Sequence, residues 1–103
     1  MSKSETIKIE KIKNFNDQYG LALTHEEYSA LEGAVDQSPY SVNDWVRALQ
    51  FFDHWLKKNQ RQHSRLNQIH YIQCCIEGAN VPQGELGLVF LLDDYLNSYG
   101  VKN

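Results

Sequence analysis

The chain has 103 residues, of which 42% are hydrophobic and 22% are charged. This composition is that of a globular protein rather than a disordered one, and the length leaves no room for a second hydrophobic core. The formal net charge of -3 has the wrong sign for binding that depends on phosphate contacts. We therefore expect one domain over residues 1–103, and a partner other than nucleic acid.

Composition also bears on location. The longest apolar run, residues 86–92, is much shorter than the roughly 18 residues that span a bilayer. The polar N-terminus lacks the apolar stretch of a secretory signal. Cys74 and Cys75 are neighbours, so they do not form a disulfide framework. These features indicate a cytoplasmic protein with no membrane partner.

Five segments carry helical signals, and their short links predict an all-α fold, a compact bundle of about five helices. The first segment, residues 5–18, spaces Ile9, Ile12 and Phe15 three apart and is followed by Gly20. The alternation of Ile7 and Ile9 in the same segment also fits a short strand, so both interpretations stay open here.

The next two helices have clear start signals. Thr24 and Glu27 have the spacing of a capping box, in which each side chain accepts a hydrogen bond from the other residue's backbone N–H. That helix is expected to run to about Val35. Ser41 is placed to cap a third helix that runs to Lys58. The expected core stripe of the third helix comprises Val42, Trp45, Leu49, Phe52 and Leu56.

A polar link, residues 59–63, precedes the last two helices. Ser64 is placed to cap the fourth helix, which is expected to end at Gly78. The fifth is predicted from about Gln83 to Tyr99 and is followed by Gly100. The expected core positions of the two helices are Leu66, Ile69, Ile72 and Ile76 in the fourth, and Leu88, Leu91, Leu92, Tyr95, Leu96 and Tyr99 in the fifth.

The sequence holds no recognisable catalytic or metal-binding motif. Its histidines form no His-x-x-x-His pair, and its adjacent cysteines lack the two-residue gap with which a cysteine pair chelates zinc. It has no nucleophile elbow, no His-Glu-x-x-His segment and no glycine-rich phosphate loop with its lysine. We therefore expect a protein that is not an enzyme and that carries neither a cofactor nor a metal.

One cluster of positive charge, which we call the basic corner, lies between the third and fourth helices. A helix-turn-helix would place a short glycine-containing turn at this point, but the link has no glycine. Lysines at the end of a helix also have a structural reason, because they interact favourably with the helix dipole. The basic corner comprises Lys57, Lys58, Arg61 and Arg65, together with His54 and His63.

The last helix carries apolar residues outside its core face. At 100° per residue, Leu86 and Phe90 fall opposite the core, on a stripe shared with Asp93, Asp94 and Asn97. An aromatic side chain beside carboxylates and an amide suits a partner that has a basic site. Burial of Phe90 against a neighbouring helix is the alternative interpretation.

The sequence also leaves open whether Phe51, in the third helix, is buried or exposed. Phe51 falls away from the core stripe, and Trp55 lies at the margin of that stripe. A central helix that is buried on most sides would account for both residues. Alternatively, Phe51 and Phe90 belong to an exposed aromatic patch, which usually indicates an interface.

Two segments combine acids with aromatic side chains: 90–95, Phe-Leu-Leu-Asp-Asp-Tyr, and 24–28, Thr-His-Glu-Glu-Tyr. In this character the chain resembles the small helical immunity proteins that neutralise bacterial nuclease toxins, including those of contact-dependent growth inhibition systems. The resemblance implies a cytoplasmic inhibitor whose carboxylates mimic the phosphates that a nuclease holds, and whose partner is a basic protein. The implied contact residues are Glu26, Glu27, Leu86, Phe90, Asp93, Asp94 and Asn97.

The alternative is a small regulatory or adaptor protein that contacts nucleic acid through the basic corner. The two hypotheses differ in the sign of the charge on the surface that binds the partner. An occluding inhibitor binds a basic protein through its acidic faces and ignores DNA and RNA. A regulator of the second kind loses nucleic acid when the basic corner is neutralised.

Overall fold

A computed structural model describes residues 3–79 and 87–101. Within these ranges the chain forms no strand and five α-helices: α1, Lys3–Tyr19; α2, His25–Asp36; α3, Val42–Lys58; α4, Arg65–Gly78; and α5, Leu88–Tyr99. The prediction of an all-α bundle of about five helices is confirmed. The segment 5–18 is helical, so the strand interpretation of its alternating isoleucines is wrong.

Side-chain caps fix the starts of three helices at the residues predicted from the sequence. Thr24 Oγ1 accepts from the Glu27 N–H at 3.1 Å, and Glu27 Oε1 accepts from the Thr24 N–H at 2.9 Å. Ser41 and Asp44 make the same reciprocal pair at the start of α3. Ser64 Oγ caps α4 by accepting from the N–H three residues further on, at 3.1 Å. Each cap satisfies backbone donors that a helix start otherwise leaves without a partner.

The central helix of the bundle is α3. It packs against α5 and α4, whereas the main packing partners of α2 are α4 and α1. Burial of a large apolar side chain contributes roughly 1.5–3 kcal/mol, so the inner face of α3 is a major source of stability. Its completely buried side chains are Trp45, Ala48, Leu49 and Phe52.

The buried Trp45 ring also fixes the link between α2 and α3. Its indole Nε1 donates to Ser38 Oγ at 2.9 Å, and the same hydroxyl oxygen accepts from the Tyr40 N–H at 3.3 Å. An indole N–H buried without a partner would cost free energy. The serine therefore satisfies the tryptophan and holds the link against the core.

The predicted core stripes are wrong at several helix ends. Val42 and Leu66 lie in the first turns of α3 and α4 and are exposed. Tyr99, in the last turn of α5, is 78% exposed. Helical periodicity assigns a residue to a face, but it does not say how far the neighbouring helix extends along that face.

The predicted start of the fifth helix near Gln83 also needs correction. Residues 83–86 lie outside the described part of the chain. Gly87 has extended backbone angles and occupies the N-cap position, so α5 begins at Leu88. A glycine is a permissible N-cap residue although it has no side chain with which to accept a hydrogen bond.

The end of α3 has an unusual residue in its terminal turn. Gln60 has φ +56°, and no other non-glycine residue in ranges 3–79 and 87–101 has a positive φ. Its N–H donates to the Lys57 carbonyl at 3.2 Å, and the Arg61 N–H donates to the Leu56 carbonyl at 2.8 Å. These two bonds form a Schellman motif, whose left-handed position usually holds glycine. Such a conformation costs a residue with a Cβ about 1–2 kcal/mol.

We expect the substitution Gln60→Gly to raise the free energy of unfolding by about 0.5–1 kcal/mol. Glycine removes the steric penalty, and its greater freedom in the unfolded chain offsets part of this gain. Urea denaturation followed by circular dichroism measures the effect. Gln60→Ala is the matched control, because it keeps the Cβ and should stay within about 0.5 kcal/mol of the natural protein. A glycine variant no more stable than the alanine variant would contradict the expectation.

Candidate protein-binding surface

The outer side of α5 exposes an aromatic ring beside acidic and amide side chains. Phe90 is 63% exposed, so the alternative in which a neighbouring helix buries it is wrong. Asp94 and Asn97 are also exposed, and Asp93 is half-buried. Their spacing of three and four residues places them on the same side of the helix as Phe90. We call these four residues the α5 face.

Within the α5 face, one carboxylate is held in position by an amide. Asn97 Nδ2 donates to Asp93 Oδ1 at 3.2 Å across one helical turn. An ionised carboxylate offers about four lone-pair sites, and this bond occupies one of them. Asp93 therefore keeps acceptor capacity for a donor from outside the chain.

The same two residues, Asp93 and Asn97, form one side of a groove between α5 and α3. The groove has a volume of about 380 Å³. Phe51 and Trp55 are half-buried, and each packs against the core while also lining the groove. Neither the fully buried nor the freely exposed interpretation of Phe51 is right. The α3 side of the groove comprises Phe51, His54, Trp55, Lys58 and Asn59.

The charges around the groove are mixed. Lys58 lines it opposite Asp93, yet the ion pairs between described residues are Lys11–Glu32 and Arg65–Asp53 and include neither of these two. Lys58 and His54 lie on the α3 side, whereas the carboxylates lie on the α5 side. A bound cation is therefore favoured near α5 and disfavoured near Lys58.

The remaining predicted contact residues are not on the α5 face. Leu86 lies outside the described residues. Glu26 and Glu27 lie in the first turn of α2, whose main packing partners are α4 and α1. The Glu27 carboxylate accepts the Thr24 N–H in the capping box, so it has a structural role that would compete with a partner. Glu26 is exposed.

The basic corner holds less free positive charge than its sequence indicates. Arg65 Nη1 donates to Asp53 Oδ2 at 3.0 Å and to Gln68 Oε1 at 2.8 Å. Gln68, which is only 2% exposed, donates through Nε2 to Asp53 Oδ1 at 2.6 Å. Arg65 is thus neutralised inside a network that connects α3 to α4. Lys57 and Arg61 remain exposed and line a groove of about 1140 Å³.

This partly buried network was not predicted from the sequence. Its members are 12 and 15 residues apart along the chain, and sequence alone does not show which side chains meet. One signal was available, because Gln68 stands one turn before the core residue Ile72 and therefore faces inward. A polar residue at such a position implies buried partners.

We expect Asp53→Ala to lower the free energy of unfolding by about 1–3 kcal/mol, since it leaves Nε2 of the buried Gln68 amide without its acceptor and removes one of the two acceptors of Arg65. Chemical denaturation measures the loss. Asp17→Ala is the control, because this exposed carboxylate is expected to contribute less than about 0.5 kcal/mol. Equal stabilities for the two variants would show that the network contributes little.

Two ionisable groups with a raised pKa, Cys75 in the core and Tyr71 packed against it, lie outside the α5 face. Burial is the main reason that the pKa of Tyr71 is raised to about 12 and that the pKa of Cys75 is raised to about 12. The Tyr71 hydroxyl donates to the Gly100 carbonyl at 3.0 Å, which fixes the chain after α5. Packing explains both pKa shifts without a catalytic role.

No protein-family model matches the chain, and comparisons with curated proteins and with solved structures give no significant match. None of the described helices is both long and apolar enough to cross a membrane. What bears on function is therefore the surface itself, with its exposed ring, its carboxylates and its groove.

Proposed function

We propose that this protein is a protein-binding inhibitor of the immunity type, which occludes a basic functional site on another protein. A toxin nuclease is the proposed class of partner. The observation that carries the proposal is the 63% exposure of Phe90 on a helix side that also presents carboxylates. Aromatic residues at the centre of an interface supply much of the binding energy when a partner covers them.

Recognition begins with charge. Asp93 and Asp94 take the place of substrate phosphates and accept hydrogen bonds from an arginine or lysine of the partner. Because Asn97 holds Asp93, less side-chain freedom is lost when the contact forms. The aromatic rings of Phe51 and Trp55 line the adjoining groove, where they add apolar contact area for a partner side chain that reaches Asp93.

The inhibitor acts by occupancy. It performs no reaction of its own and needs no cofactor, because the bound surface alone keeps substrate out. In this proposal it meets its partner in the cytoplasm, as the resemblance to immunity proteins implies. Phe90 supplies the desolvated contact area, while the carboxylates set the orientation and speed of association.

A second candidate is a regulator that contacts nucleic acid through the basic corner. The groove of about 1140 Å³, lined by Lys57, Arg61 and His63, favours it. The pairing of Arg65 with Asp53 weakens it, because one fewer cation is available to phosphates. We rank this candidate below the inhibitor.

To test the inhibitor, a tagged copy is used to retrieve a partner from nuclease-treated lysate, and the purified partner is then titrated. We expect Phe90→Ala to weaken binding by about thirtyfold or more, the effect of removing an interface hot spot. Its free energy of unfolding should change by less than about 0.5 kcal/mol, since the ring is exposed. The matched control is Tyr99→Ala, which removes an exposed ring about 180° away on the same helix and should leave binding unchanged.

The charge contribution is tested with the same partner. Asp93→Asn should weaken binding and reduce its dependence on salt, since screening acts on the charge that this variant removes. Binding that is indifferent both to salt and to Asp93→Asn would contradict the phosphate-mimic mechanism. Loss of all retained material on nuclease treatment, and its loss in a Lys57→Ala, Arg61→Ala double variant, would instead support the regulator.

A further inference from the structure

The outer side of α4 brings a thiol and an imidazole together, on a different helix from the α5 face. His70 and Cys74 are four residues apart, so they lie on the same side of the helix. Cys74 Sγ and His70 Nε2 are 3.7 Å apart, and both side chains are exposed. The pair has the mixed spacing His-x-x-x-Cys, which is neither a His-x-x-x-His pair nor a cysteine pair.

The separation of the two atoms suits a shared metal ion. Zinc binds cysteine sulfur at about 2.3 Å and histidine nitrogen at about 2.0–2.1 Å in tetrahedral geometry. Two such bonds at the tetrahedral angle place the sulfur and the nitrogen about 3.6 Å apart. The pair therefore holds its two donor atoms at nearly the spacing that one zinc ion requires.

We propose that His70 and Cys74 bind Zn²⁺ together, and that the same pair from a second copy of the chain completes the site. Residues 3–79 and 87–101 contain no cluster of three or more metal-ligating side chains, so in the described structure one chain supplies two of the four ligands. Two copies related by a twofold axis through the metal supply a Cys₂His₂ set, which is a common structural zinc site.

The surroundings of the pair are compatible with a bound cation. Arg65, which is the only lysine or arginine of α4, already pairs with Asp53. Glu77 is exposed one turn beyond Cys74 and adds negative potential. Cys75 is 1% exposed and is not available as a ligand, so each chain offers one thiolate.

Binding is a ligand exchange without oxidation or reduction. Each Cys74 thiol releases its proton to solvent as the sulfur–zinc bond forms, and each neutral imidazole donates its Nε2 lone pair. One zinc bound between two copies therefore displaces two thiol protons. The ion also exchanges the water molecules that it carries in solution for these four protein donors.

The test adds ZnCl₂ alone to the full chain, in a phosphine reductant that keeps the thiols reduced. Sedimentation velocity should show a doubling of mass, and calorimetry should give one zinc per two chains. Cys74→Ala and His70→Ala should each abolish the change in mass. His25→Ala and Cys75→Ala are matched controls that should retain the change in mass.

With Co²⁺ in place of zinc, a thiolate-to-cobalt absorption band should appear in the natural protein and be absent from Cys74→Ala.

Three results would overturn the proposal. An unchanged mass with zinc would show that no second copy completes the site, even if one ion bound to each chain. A zinc-dependent dimer that survives in Cys74→Ala or His70→Ala would place the metal elsewhere. A cobalt thiolate band that is lost in Cys75→Ala but kept in Cys74→Ala would show that Cys75, and not Cys74, binds the metal. The two test variants alter exposed side chains, so loss of folding does not confuse their result.

Discussion

The complete burial of the inner face of α3 is the constraint on which the rest of the structure depends. Trp45 is fully buried, and the only polar atom of its side chain donates to Ser38 in the preceding link. This bond fixes the path by which α2 leads into α3, and α5 and α4 then pack on α3. A large apolar face that must lose all contact with water determines which sides of the neighbouring helices face inward.

The exposed surface follows from that arrangement. Once the leucine side of α5 packs inward, with Leu88 and Leu92 buried, the helical period directs Phe90 outward. The contact of α5 with α3 does not cover Phe51 and Trp55 completely, and the groove forms along the two rings. The aromatic ring and the carboxylates of α5 are therefore side by side for a geometric reason. In the proposed function, this exposed ring and these carboxylates contact the partner.

Local signals were predictable from the sequence, and long-range contacts were not. The capping pair Thr24 and Glu27 and the placement of Phe90 opposite the core face of α5 depend on spacing within a few residues, although spacing left open whether a neighbouring helix covers Phe90. The exposure of Tyr99 depends on where the neighbouring helices end, which periodicity does not show. The pairing of Arg65 with Asp53 depends on how α4 crosses α3, so the basic corner looked more positive in sequence than it is in the fold.

The central claim is that a partner covers the α5 face. Hydroxyl-radical footprinting of the chain, alone and with its purified partner, tests this claim most directly because it reports the solvent exposure of individual side chains. The proposal predicts that oxidation of Phe90 and Trp55 slows in the complex while oxidation of Tyr99 is unchanged. Unchanged oxidation of Phe90, together with protection of Tyr99 or of the basic corner, would show that the partner binds a different surface.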